Sequence, residues 1–206
     1  MRKTLLLGFA MLALQNISSA QFGYGLTVNY MLYERFNNPD EDPYYDAAGN
    51  ALLNLGMGPK IWVGNMNFSV SAEASANIGF LGLAVKDYKG LGMASFPMLI
   101  NLNFKGLSGF DPEWRPGFSI GGGVQYSRTE LYGVTNKFDK RGVDRKLFPT
   151  YILHAAYGTG FQGFGIGGFV RYGFHPDNNA NTLSVGIQWD FNAVQLRKIR
   201  NKASEL

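Results

Sequence analysis

The side chains able to do chemistry are few. The chain of 206 residues has two histidines, His154 and His175, and no cysteine. No metal-ligand spacing can be drawn from that set. Acyl transfer or hydrolysis needs a His set beside a hydroxyl nucleophile and a carboxylate. Asp177 follows His175, but the stretch His175-Pro176-Asp177-Asn178-Asn179 contains no serine, and Ser127 is the nearest candidate from elsewhere. His175 is read as an ordinary loop residue. Gly121-Gly122-Gly123 and Gly165, Gly167 and Gly168 lie inside alternating stretches, so they are close-packing glycines and not phosphate loops. The sequence therefore nominates no catalytic residue, no metal site and no cofactor.

Four charges are more informative: Lys60, Glu73, Arg171 and Asp190. Each falls on the small or polar side of a stretch that alternates with a period of two, together with His154, Gln125, Asn101 and Asn103. Such charges, if buried, must pair. The expected pairs are Glu73 with Arg171 and Lys60 with Asp190.

The elements carrying them are β-strands. From Thr182 to Phe191 every odd position is large and apolar and every even position is small or polar, the pattern of a strand with two unlike faces. Seven earlier stretches repeat it. Their apolar faces run Phe22 to Leu32, Leu53 to Val63, Phe68 to Phe80, Phe96 to Phe104, Phe118 to Tyr126, Pro149 to Tyr157 and Phe164 to Phe174. The opposite faces are rich in Gly, Ser and Asn, which suits the crowded inside of a narrow barrel. Phe96 and Phe104, Phe118 and Tyr126, and Phe164 and Tyr172 are each eight residues apart on the apolar face. At roughly 3.3 Å per residue and a tilt near 40°, eight residues climb about 20 Å, close to the apolar band of an outer-membrane barrel between its two aromatic girdles. Odd connections are long (33–52, 81–95, 127–148, then 175–181), whereas 64–67 and 158–163 are short. The gap at 105–117 is longer than a usual turn, and is either a weak point of the topology or a small contact surface.

Met1-Arg2-Lys3, an apolar run from Leu5 to Leu14 and Ser18-Ser19-Ala20 form a secretory signal, too short to span a membrane as a helix. Residues 1–20 are expected to be removed. Of the 19 Lys and Arg, Arg2 and Lys3 lie in that segment and Arg197, Lys198, Arg200 and Lys202 lie in the last ten residues. That leaves 13 basic against 14 acidic groups over residues 21–196, so the basic balance belongs to the tail and gives no case for nucleic-acid binding. Two connections differ in sign. Glu34, Asp40, Glu41, Asp42 and Asp46 make the first acidic, while Arg128, Lys137, Lys140, Arg141, Arg145 and Lys146 make the 128–146 stretch basic. Lys140, Arg141, Arg145 and Lys146 are candidate contacts for lipopolysaccharide phosphates.

The chain resembles the small eight-stranded outer-membrane barrels of Gram-negative bacteria, the OmpA/OmpX type, over nearly all of residues 21–191. The most specific match is the last strand, where Ser184, Gly186, Trp189 and Phe191 fit the spacing that the barrel-assembly machinery of that family reads. The resemblance implies an all-β fold, an eight-stranded antiparallel up-and-down transmembrane β-barrel at 21–191. It also implies both termini in the periplasm and contact with outer-membrane lipid and lipopolysaccharide. Residues 192–206 depart from the pattern as a short basic tail, too short for the peptidoglycan-binding domain of some relatives. The expected role is non-enzymatic, structural or partner-binding through loops or tail, with an accessory place in a larger assembly as one form of it. A lipid A-modifying enzyme and a narrow pore are the alternatives.

Overall fold

The computed structural model describes residues 20–38, 47–84, 90–133 and 147–203. Most of the expected signal segment, the acidic residues from Asp40 to Asp46, and Lys140, Arg141, Arg145 and Lys146 lie outside the described residues. The strands are β1 (Gln21–Asn38), β2 (Ala47–Gly64), β3 (Phe68–Ala74), β4 (Ala76–Ala84), β5 (Gly90–Lys105), β6 (Arg115–Gly133), β7 (Phe148–Phe161), β8 (Phe164–Phe174) and β9 (Asn181–Asn192). Among the described residues a 3-10 turn at Gly106–Ser108 follows β5, and a helix, α1 (Ala193–Ala203), follows β9. Every neighbouring pair is antiparallel, and β1 pairs with both β2 and β9. The sheet therefore closes on itself and has no free edge.

The nine segments make eight staves, because β3 and β4 are one strand interrupted at Ser75. Continuing the partners Lys60↔Glu73, Met57↔Ala76 and Ala74↔Met98, Ala74 lies opposite Pro59 of β2, while Ser75 lies opposite Gly58 of β2 and Pro97 of β5. The Ser75 N–H donates to the Pro97 carbonyl at 3.0 Å. Neither proline has an N–H to return, so the ladder lapses on both sides.

The faces fall as the alternation requires. Leu26, Met57, Ile100, Leu153 and Val170 are exposed on the outer wall, whereas Thr27, Asn29, Ser71, Asn101 and Ser184 are buried inside. Several inward glycines leave room for amides: a Cβ on Gly79 would strike Asn54, and one on Gly121 would strike Asn101. Aromatic rings gather at both ends of the wall. At the end where Gln21 and Asn192 lie, here the terminal end, Phe104 stacks on Phe118 with centroids 4.4 Å apart, and Phe164 meets Phe191 at 5.5 Å. At the far end Tyr151 meets Phe174 at 6.2 Å.

Strand lengths correct one expectation. Within the stretches 33–52, 81–95 and 127–148, residues 33–38, 47–52, 81–84, 90–95, 127–133 and 148 are strand. Alternation hid this because it reverses part-way up. Register between β1 and β9 shifts between Met31 and Tyr33. Leu52 and Leu53 both turn outward, with Leu53 at φ 55. On the other side, register between β5 and β6 shifts between Leu91 and Met93, where Gly92 has φ 86 and Glu130 φ 54. A bulge adds a residue and flips the face of everything beyond it. Glu34, Arg128 and Glu130, expected in loops, consequently lie within β1 and β6.

Candidate functional site

Among the described residues, five interior charges line up in a column. Nearest the far end is Glu34, fully buried. Its Oε2 accepts from Asn54 Nδ2 at 2.9 Å and its Oε1 from Gln125 Nε2 at 3.3 Å. Gln125 also donates to Ser127 Oγ at 3.0 Å.

Arg171 occupies the middle. Its Nη2 donates to Asn29 Oδ1, to Gln188 Oε1 and to Glu73 Oε1, at 3.3, 3.1 and 3.3 Å. Its Nε donates to His154 Nδ1 at 3.2 Å. An arginine Nε is always a donor, so His154 Nδ1 is the acceptor here. The guanidinium carbon lies 4.3 Å from the centre of the Phe169 ring, a cation–π contact on its flat face.

Below Arg171, Glu73 Oε2 takes Lys60 Nζ at 2.7 Å, and Lys60 Nζ reaches Asp190 Oδ2 at 2.9 Å. Gln188 Nε2 bridges the two acids, donating to Glu73 Oε2 at 3.2 Å and to Asp190 Oδ1 at 3.0 Å. The two expected pairs are thus brought together, and Lys60–Glu73 fuses them into one chain. Down the barrel the signs alternate: Glu34, Arg171, Glu73, Lys60, Asp190. Each cation sits between carboxylates, which is how buried charges offset the cost of leaving water.

The terminal mouth is covered by the turn that the sequence left ambiguous. Leu107, Ser108, Phe110 and Asp111 are all buried. Ser69 Oγ donates to the Ser108 carbonyl at 2.7 Å, and Ser108 Oγ to that of Met66 at 3.2 Å. Asn192 Nδ2 donates to the Gly109 carbonyl at 3.0 Å, and Gln162 N to that of Asp111 at 2.7 Å. Gly109 takes φ 80, and a Cβ there would come within 3.1 Å of the Trp62 ring, so glycine answers both demands. Arg115 Nε clamps the turn by donating to Asp111 Oδ2 at 2.8 Å. Between turn and column is a cavity of about 10 Å3 lined by Lys60, Leu107, His154, Gln188 and Asp190 among others, roughly one water in size.

The remaining candidates are placed as follows. Ser184 and Gly186 point inward on β9, and a Cβ on Gly186 would strike the Tyr30 carbonyl. Trp189 and Phe191 alternate with them toward the outer wall. Ser127 is fully buried inside the barrel. His175 Nδ1 accepts from the Asp177 amide at 3.2 Å in the β8–β9 connection. Gln188 and Glu34 were not nominated by sequence reasoning. Gln188 lies on the inward parity of β9, where alternation could have found it. Glu34 had no such signal, since the bulge precedes it.

No protein-family model matches the sequence, and no curated protein matches it. Solved structures resemble it at low identity. Neisserial surface protein A is 9% identical with a TM-score of 0.45, over 84% of this chain and 99% of its own. Ail, the attachment invasion locus protein of Yersinia pestis, solved in complex with the heparin analogue sucrose octasulfate, is 11% identical with a TM-score of 0.42, over 83% and 99%. The N-terminal β-barrel domain of Pseudomonas aeruginosa OprF is 10% identical with a TM-score of 0.41, over 80% and 97%. The chain is similar to small outer-membrane β-barrels.

Proposed function

We propose that this chain is a sealed, non-enzymatic barrel of the outer membrane, with a structural or partner-binding role exercised at its rims. The observation that carries the reading is the column of paired charges closed below by the 106–114 turn. An eight-stranded barrel has an interior just wide enough for side chains to fill, and here they are tied to one another. The outer wall, apolar between two aromatic belts, suits lipid on every side. In this reading residues 1–20 direct export and both termini are periplasmic. Ser184, Gly186, Trp189 and Phe191 present β9 to the assembly machinery. Lys140, Arg141, Arg145 and Lys146 meet lipopolysaccharide phosphates.

A barrel that modified lipid A would need a nucleophile and a base open to an acyl chain. Ser127 is shut inside the wall and His175 is engaged with its own turn, which favours the non-enzymatic reading. Mass spectrometry of lipid A from a deletion strain tests it. An unchanged acyl pattern is expected, and an altered acyl count overturns the proposal. Affinity purification in mild detergent then separates an accessory subunit, which brings proteins with it, from a barrel that stands alone.

A further inference from the structure

α1 joins the barrel without a linker. Its cap is Asn192, a fully buried residue whose Oδ1 accepts from Val194 N at 3.2 Å while its own N–H donates to the Gly163 carbonyl at 2.6 Å. The first turns are also pinned sideways. Gln195 Nε2 and Lys198 Nζ both donate to Oε1 of Gln21, the first residue of β1, at 2.8 and 3.2 Å. The helix therefore begins two residues past Phe191, at the level of the aromatic belt that includes Phe164 and Trp114. That belt is where a barrel meets headgroups.

Its composition differs from the rest of the chain. Residues 193–203 hold Arg197, Lys198, Arg200 and Lys202 and no carboxylate, while residues 21–192 balance 13 basic against 14 acidic groups. Leu196 and Ile199 stand one turn apart on one side, and Ile199 is 37% exposed although large and apolar. A short helix with an apolar side and several cations is suited to the boundary between acyl chains and headgroups. Cations near an anionic leaflet each strengthen attachment by about fivefold, a gain screened within a Debye length.

We infer that α1 is an interfacial anchor that binds anionic phospholipid headgroups at the terminal end of the barrel, with Leu196 and Ile199 dipping toward the acyl chains. The inference rests on the outer-membrane reading above. The favoured partner is lipid and not an acidic protein because the helix continues the lipid-facing wall at belt height, and its base is locked to the barrel.

The test uses the purified, refolded chain in nanodiscs of phosphatidylcholine alone and of phosphatidylcholine mixed equally with phosphatidylglycerol. Hydrogen exchange of the 193–203 amides is followed in each. Exchange should slow about tenfold or more on the anionic discs at low salt, and the difference should vanish near 0.5 M salt. The variant R197Q/R200Q/K202Q keeps the Lys198 contact to Gln21 and should lose the lipid dependence. Equal exchange on both lipids, or an unchanged response in the variant, overturns the inference and leaves an acidic protein as the partner to seek. Strand amides between 21 and 192 report separately: if they are unprotected in either disc, the barrel reading has failed, and not the anchor.

Discussion

The two halves of the barrel solve the same problem differently. In the terminal half alternation is unbroken, and Arg171, Glu73, Lys60 and Asp190 form a chain of ion pairs. In the far half the strands carry bulges and left-handed residues. There the charge in the column, Glu34, is held by the neutral amides of Asn54 and Gln125. A regular wall positions opposite charges directly across the lumen, so they can answer each other. A bulged wall reorients side chains, so that Glu34 is met by neutral amides, and Glu130 is buried at the bulge of β6. The terminal half should therefore be the electrostatically brittle one.

The largest effect should come from breaking the wall that both halves share. Ile187 faces outward between Gly168 of β8 and Tyr30 of β1. A lysine in mid-wall costs about 2–4 kcal/mol in lipid. Ile187→Lys should yield little folded, heat-modifiable barrel on gels, and a normal yield would undo the outward assignment of β9.

Glu73→Ala comes next. It removes the acid shared by Lys60 and Arg171 and leaves two buried cations facing each other, with Asp190 beside Lys60 and Glu34 on the far side of Arg171. The expected loss is about 3–5 kcal/mol, read from urea unfolding in lipid vesicles. Glu34→Ala should cost less, about 1–3 kcal/mol, because it strands amide donors and no cation. Equal losses for the two variants would erase the distinction between the halves.

The smallest effect should come from the turn at the mouth. Gly109→Ala places a Cβ at φ 80 beside Trp62 and should cost about 1 kcal/mol, seen as a lower urea midpoint with an unchanged slope. A gain in stability would mean that the turn does not rest on Trp62.

How much of this was legible follows from the same contrast. Inward and outward faces were readable wherever period two held, which is why Lys60, Glu73, Arg171 and Asp190 could be paired from their strands and depths. Their fusion through Lys60–Glu73 was not drawn, although the two residues are direct partners across β2 and β3. Glu34 was misplaced in a loop because a single bulge at Leu32 reverses the parity, and four consecutive apolar residues from Tyr30 to Tyr33 mask where it occurs. The covering turn was unreadable for another reason. Leu107 and Phe110 are apolar residues in a connection, and nothing in their spacing says whether they face a partner or fold back under the barrel.

The central claim is that the lumen is closed by its own charges and by the turn beneath them. Single-channel recording of the purified protein in planar bilayers tests it most directly, with Glu73→Ala alongside. The account predicts a silent bilayer for the native chain. Steady, reproducible conductance that changes in Glu73→Ala would contradict it and make the charged column a conduction path.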